Sequence, residues 1–106
     1  MLPNLPIDTD KILIAGDWRA CAETLPILNP STGQEIGRIA RGTAADINAA
    51  VSAAQAARDG DWGRMTAVER GRILTRIGQL VLENVDLLTE LESLDVGKPT
   101  GQSRAD

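Results

Sequence analysis

The side chains that most often carry out catalysis are scarce in this sequence of 106 residues. It contains no histidine and no tyrosine, and its one cysteine is Cys21. Histidine is the most common general base and metal ligand, so neither a Ser-His-Asp nor a Cys-His arrangement can be built from these residues. Arg19 would lower the pKa of the Cys21 thiol, but Glu23 on the other side offsets it. We therefore interpret Cys21 as structural.

The glycines and carboxylates also lack a catalytic pattern. No run matches G-x-G-x-x-G or G-x-x-x-x-G-K-[ST], the loops that hold nucleotide phosphates, and Gly97-Lys98-Pro99 predicts the end of a helix instead. A pair of carboxylates that hydrolyses a glycosidic bond must flank a cleft, and no cleft is implied here. We interpret the acidic residues of the last predicted helical stretch, which have no basic residue among them, as a solvated face. They are Glu83, Asp86, Glu90, Glu92 and Asp95.

Charge and composition exclude several classes of partner. The formal net charge is −4, with 11 basic and 15 acidic residues mixed along the chain, whereas nucleic-acid-binding surfaces are concentrated and basic. No apolar run approaches the ~20 residues that span a bilayer. We expect neither a nucleic-acid nor a membrane partner. A single cysteine forms no intramolecular disulfide, and Asp8 and Asp10 lie where the apolar part of a signal peptide would fall, so we expect a cytoplasmic protein.

An arm and two β-hairpins are predicted for the first part of the chain. Residues 1–10 contain two prolines and two aspartates, which is typical of a loose arm. An apolar run follows and is interrupted at Gly16-Asp17, which predicts a first hairpin over residues 11–19. A second hairpin is predicted for residues 24–41, around the turn-forming residues 29–33.

Three helices are predicted after the hairpins. Thr43 and Thr66 are each followed, three residues later, by a carboxylate, which is the pattern of a capping box. The first helix ends at an Asp-Gly-Asp sequence. The second and third helices are predicted for residues 66–83 and 85–95, with one bent helix as the alternative. Residues 101–106 are predicted to be a loop leading into another helix.

The second predicted helix carries an apolar stripe that needs a partner surface. The stripe has helical spacing and consists of Ile73, Leu74, Ile77, Leu80 and Val81. Gly71 and Gly78 lie seven residues apart on one face, which predicts close contact with another backbone. We therefore expect an α+β segment, with N-terminal hairpins followed by two or three helices whose stripes cover a sheet outside these residues.

Two phrases separated by helices resemble the opening of the NAD(P)-dependent aldehyde dehydrogenase superfamily. The first is Leu28-Asn29-Pro30-Ser31-Thr32-Gly33, and the second is Leu91-Glu92-Ser93-Leu94-Asp95-Val96-Gly97-Lys98-Pro99. Two further runs are similar to that family: Ile14-Ala15-Gly16-Asp17-Trp18-Arg19 and Trp62-Gly63-Arg64-Met65. The resemblance covers about residues 11–106. It implies that the parent protein has an α/β fold, and that these residues form the N-terminal, incomplete part of its Rossmann-like cofactor-binding domain.

The resemblance also implies a chemistry for the parent enzyme. Such an enzyme oxidises an aldehyde to a carboxylic acid with NAD or NADP, through a cysteine thiohemiacetal and a thioester. In the family, the catalytic cysteine, the glutamate that activates water and the cofactor-binding strands and loops lie downstream of the resembling region, and Cys21 does not align with the nucleophile. We therefore expect no catalytic and no cofactor-binding residue here, and an inert chain when it is isolated.

Two further expectations follow from the resemblance. The parent enzyme is expected to be a homodimer or homotetramer that acts on a small-molecule aldehyde. Some members hold a structural K+ or Na+ by backbone carbonyls, and Leu28 and Asp106 look like two of those positions, with the third downstream. The alternative function is a non-catalytic helical protein-interaction module that reuses this segment. A third interpretation, an unrelated helical regulator, would require an accidental match.

Overall fold

Two antiparallel hairpins form the first part of the fold in a computed structural model that describes all residues, Met1–Asp106. In the first, β1 (Lys11–Ile14) pairs with β2 (Asp17–Ala20). In the second, β3 (Glu23–Leu28) pairs with β4 (Glu35–Arg41). Both hairpins are found where the sequence predicts them, because each has turn-forming residues between two extended runs.

The two turns use residues in the left-handed region. Ala15 and Gly16 have φ angles of 53° and 83°, and two positive φ angles are typical of a type I′ turn, whose twist matches the flanking strands. The prediction placed this turn one residue later, but Asp17 is already paired with Ile14. In the second turn, Gly33 has a φ of 70°.

Five helices follow the hairpins: α1 (Ala44–Asp59), α2 (Asp61–Arg64), α3 (Ala67–Glu83), α4 (Val85–Val96) and α5 (Thr100–Ala105). Three of them confirm the predicted helices, and α3 and α4 are separated at Asn84 as expected. The single-turn α2 was not predicted, and α5 replaces part of a predicted loop. Both are too short to show apolar periodicity. None of the five helices combines the length and apolar character that a membrane crossing requires.

Capping boxes begin α1 and α3, as predicted. Thr43 Oγ1 accepts a hydrogen bond from Asp46 N at 3.3 Å, and Asp46 Oδ2 accepts one from Thr43 N at 2.7 Å. Thr66 and Glu69 form the equivalent pair at 3.3 and 2.8 Å. The hydrogen bonds from the threonine N–H groups, and then from the hydroxyls, hold the pKa of Asp46 and that of Glu69 below their usual range. These helix starts are therefore stabilised within their own first turns.

Residues 1–10 contain no helix or strand, but they are attached to the second hairpin. Leu2 N–H donates to Ile36 O at 2.9 Å, and Ala40 N–H donates to Thr9 O at 2.8 Å. The arm lies beside β4 and lines an apolar cleft with residues of α4.

The elements form a thin arrangement with almost no core. Only Ile14, Ile36 and Ser103 are buried, with 5%, 7% and 9% of their surface exposed. The molecule measures 48 × 34 × 19 Å, and its Cα radius of gyration is 16.7 Å, whereas a compact domain of this length has a radius of about 13 Å. These residues therefore do not enclose a hydrophobic core of ordinary size.

Candidate functional site

The two phrases that carry the family resemblance lie next to each other in the fold. The turn between β3 and β4 contacts the C-terminal end of α4 at Gly97, where an added Cβ would lie 3.0 Å from Pro30 Cγ. Gly97 also has a φ of 70°, so glycine suits this position for both its conformation and its size. We call this region, formed by residues 29–33, α4 and residues 97–106, the turn–helix junction.

Polar contacts attach α5 to α4 within the junction. Ser93 Oγ donates to Ser103 Oγ at 2.9 Å, and Ser103 is almost fully buried. Arg104 Nη1 donates to Asp86 Oδ1 at 2.6 Å. Because α5 folds back onto α4, side chains that are distant in the sequence become partners.

Lys98 connects α4 to the last residue of the chain. Its Nζ donates to Glu92 Oε1 at 2.9 Å and also to the Asp106 carboxylate. The hydrogen bond to Asp106, followed by that to Glu92, raises the pKa of the Lys98 ammonium group above its ordinary value. The acidic stretch contains no basic residue, but Glu92 and Asp86 pair with Lys98 and Arg104 after α4, and Glu83 pairs with Arg76 in α3. Helical spacing within the stretch does not reveal these partners.

A polar groove of about 490 Å³ lies along the junction. Its lining residues are Asn29, Ser31, Asp86, Thr89, Glu90, Ser93, Leu94 and Thr100. Hydroxyl, amide and carboxylate groups dominate this lining, and Thr89 Oγ1 is buried without a hydrogen-bond partner. The groove offers hydrogen bonding, and its lining contains no thiol, amine or imidazole.

Of the two residues predicted to bind a cation, one directly precedes the junction and the other is its last residue. Leu28 is the last residue of β3, directly before the Asn-Pro turn, and Asp106 follows α5. The side chains contain no group of three or more His, Cys, Asp or Glu residues able to hold a metal ion. A cation between Leu28 and Asp106 would therefore depend on backbone carbonyl oxygens. The Asp106 carboxylate is already paired with Lys98.

Cys21 has an environment that disfavours its thiolate. It follows β2 and is half-buried. This partial burial, together with the carboxylates of Asp46 and Asp10, raises the pKa of the thiol. A nucleophilic cysteine needs an electropositive environment that lowers its pKa, so the structural interpretation of Cys21 is supported.

The geometry does not fit a dinucleotide cofactor. Such a site requires a glycine-rich loop between a strand of a parallel sheet and the N-terminus of a helix. Both sheets here are two-stranded antiparallel hairpins. The N-termini of the two longest helices are already bonded to the carboxylates of Asp46 and Glu69. The expectation that this chain contributes no cofactor-binding residue stays a prediction.

Known proteins similar to this chain share one family. The family model described as the aldehyde dehydrogenase family matches residues 18–106. The mitochondrial aldehyde dehydrogenase family 2 member B4 of Arabidopsis thaliana is 42% identical over 104 residues, which are 95% of this chain and 19% of that protein. The mitochondrial benzaldehyde dehydrogenase of Antirrhinum majus is 42% identical over 103 residues, covering 94% of this chain and 19% of that protein.

A solved structure extends the similarity to the fold. The betaine aldehyde dehydrogenase of Staphylococcus aureus, in complex with NAD+, superposes with a TM-score of 0.86 at 32% identity, over 94% of this chain and 20% of that one. The chain thus spans about a fifth of the length of the relatives it matches. The family match includes both phrases of the turn–helix junction, and it confirms the resemblance and the α+β segment. The chain belongs to the aldehyde dehydrogenase family.

Proposed function

We propose that this chain is the N-terminal structural segment of an NAD(P)-dependent aldehyde dehydrogenase. The parent enzyme oxidises a small-molecule aldehyde to a carboxylic acid through a cysteine thiohemiacetal and a thioester. The observation that carries the proposal is the family match over residues 18–106 in a chain that covers about a fifth of its relatives. The NAD+ bound to the similar Staphylococcus aureus enzyme supports a nicotinamide cofactor for the parent.

The segment itself is proposed to be catalytically inert. It contains no histidine, and its one thiol has a raised pKa. Its glycines form no dinucleotide-binding loop. The reacting cysteine, the glutamate that activates water and the cofactor site are therefore supplied by other parts of the parent enzyme.

The proposed contribution of the segment is an outer layer that packs on the rest of the cofactor-binding domain. Several apolar side chains of α3 are largely exposed, with Leu74 at 58% and Ile77 at 52%. Gly71 and Gly78 have nothing within 4 Å of an added Cβ, so their predicted close contact is not made within these residues. Removing such a stripe from water contributes about 25 cal/mol per Å², which supports a packing partner elsewhere in the parent.

An activity assay of the purified 106-residue chain tests this proposal. With NAD+ or NADP+ and a panel of aliphatic and aromatic aldehydes, we expect no production of NADH or NADPH above a protein-free blank. An active aldehyde dehydrogenase assayed in parallel establishes the sensitivity. Reproducible reduction of either cofactor by the chain would contradict the proposed inertness.

Thermal unfolding tests the structural part of the same proposal. Because the chain encloses almost no core, we expect helical circular dichroism to decrease gradually on heating, without a sharp transition. A cooperative two-state melt would show that the segment is an independent folding unit and would contradict its assignment as one layer of a larger domain.

We also propose a homodimeric or homotetrameric parent in the cytoplasm, with a K+ or Na+ ion held by the carbonyls of Leu28 and Asp106. The proposal rests on the family resemblance, since some members hold such an ion by backbone carbonyls. A crystal of the full-length enzyme grown with K+ or Na+ and lacking density between these carbonyls would count against it.

Two of the similar plant proteins are mitochondrial, so fractionation of the source cells is the test of compartment.

The exposed apolar faces also favour a second candidate, a non-catalytic helical protein-interaction module. Exposed apolar patches of this kind mark interaction sites. A monomeric chain that binds no hydrophobic dye would remove the motivation for this candidate.

A further inference from the structure

We propose that residues 1–10 act as a strap that holds the second hairpin against α4, with Leu2 and Leu5 as its apolar anchors. The proposal concerns the folding of the segment, and it does not depend on the chemistry of the parent enzyme.

The strap is bonded to the edge of β4 that β3 leaves free. In an antiparallel sheet, successive backbone groups of a strand point to opposite sides. Leu2 N–H donates to Ile36 O, and Ala40 N–H donates to Thr9 O, so the strap occupies both ends of this free edge. Exposed edges readily pair with other chains, and the strap therefore also protects β4.

A missing side chain on β4 makes room for the first anchor. A Cβ on Gly37 would overlap Leu2 Cδ1 and would lie 2.9 Å from Leu2 Cγ. Gly37 is not among the residues with a positive φ. Close approach by Leu2, rather than backbone conformation, is therefore the reason that glycine suits this position.

The second anchor lies between the hairpin and the helices. A cleft of about 360 Å³ separates the hairpin from α4. Its apolar lining consists of Leu2 and Leu5 from the strap, Ile27 and Ile39 from the hairpin, and Leu88 and Leu91 from α4. Leu5 also lines a second apolar cleft of about 400 Å³ beside α3 and α4. Leu88 and Leu91 of α4 line both clefts as well, so Leu5 shares both clefts with α4.

The packing of the other elements leaves few alternatives to this bridge. The strands of the second hairpin pack on each other and on β1, whereas α4 packs mainly on α3 and α5. Apart from the strap, the contact of Pro30 with Gly97 joins the hairpin turn to the end of α4. We infer that the strap and this contact together orient α4 relative to the hairpin.

Residue-resolved hydrogen exchange on the full 106-residue chain tests the strap. Gly37→Ala places a methyl group where Leu2 lies, so we expect the Ala40 amide to exchange about tenfold faster, as for the loss of one backbone hydrogen bond. The Ile39 amide points toward β3 and is expected to keep its rate. Gly42→Ala is the matched control, because its Cβ would only make ordinary contact with Asp46, and it should change neither amide.

Gly37→Ala could unfold the second hairpin as a whole, and faster exchange of the Ile39 amide would reveal such unfolding. A second variant keeps the test decisive in that case. Leu2→Ala removes the anchor without creating an overlap, and faster exchange at Ala40 with an unchanged Ile39 would support the strap. Unchanged exchange at Ala40 in Leu2→Ala would overturn it. An unmodified chain in which Ala40 exchanges freely, whether or not Ile39 is protected, would also overturn it.

Discussion

The helices α3 and α4 are neighbours that both carry apolar residues at helical spacing, but the chain covers those of α4 more fully. On α4, Leu87, Leu91 and Leu94 are half-buried, and Leu91 lines the cleft with the arm and the second hairpin. On the stripe of α3, Leu74 and Ile77 are 58% and 52% exposed. An apolar stripe therefore indicates that a helix has a packing partner, but it does not indicate whether that partner lies in the same chain.

The same two helices are stabilised in opposite ways. The start of α3 is held by its capping box, and its far end by an ion pair between Arg76 and Glu83 at 3.0 Å. The start of α4 has no side-chain cap; the helix packs on α3 and α5, and its end contacts the Asn-Pro turn. The helix α3 thus depends on interactions within itself, whereas α4 depends on residues that are distant in the sequence.

The largest expected effect comes from placing a charge on each stripe. Leu91→Asp puts a carboxylate in the apolar cleft, so we expect the free energy of opening α4, measured by hydrogen exchange, to fall by about 2 kcal/mol. Leu74→Asp is the matched control on the exposed stripe of α3 and should change amide exchange there little. Equal effects of the two substitutions would remove the difference between the helices.

A smaller effect is expected from removing the cap of α3. Thr66→Ala deletes the hydroxyl that accepts from Glu69 N, so we expect α3 to lose about 1 kcal/mol of helix stability, seen as lower helical chemical shifts over residues 67–75. Thr75→Ala, in the same helix but outside the cap, should preserve or increase helicity because alanine is the better helix former. If Thr66→Ala left α3 unchanged, packing rather than capping would stabilise this helix.

The smallest effect is expected from acid. The folded-state pKa of Glu69 is lowered by its hydrogen bonds with Thr66. Its contribution to stability is therefore fully present above the unfolded value of about 4.3 and is lost as the pH falls through the lower folded value. We expect helical signal over residues 67–75 to decrease in this acidic range. Glu69→Gln should remove that pH dependence, and its persistence in the variant would assign it to another group.

The predictable parts of the fold are those that depend on neighbouring residues. The capping boxes at Thr43 and Thr66 and the break at Asn84 were predicted because each involves residues within about one helical turn. The second hairpin was predicted because turn-forming residues separate two extended runs. The family resemblance was likewise predictable, since it consists of short phrases in a given order.

The contacts that build the junction and the strap could not be predicted in the same way. Lys98 meets both Glu92 and Asp106 only because α5 folds back. Gly37 shows no pattern that indicates Leu2 as its neighbour, and the pairing of Asp86 with Arg104 crosses from one helix to another. The spacing of residues in the sequence does not indicate such partners, because their separation along the chain is unrelated to the period of a helix or a strand.

The sequence by itself determined the hairpins, the longer helices, their caps and the family, since these depend on local backbone preferences and on the order of short motifs. The tertiary structure decided which apolar residues are covered, bringing Gly97 against Pro30 and placing Leu5 in one cleft with residues of α4 while leaving the stripe of α3 exposed. The physical reason is that burial requires a second surface, and only the arrangement of distant segments determines where that surface lies.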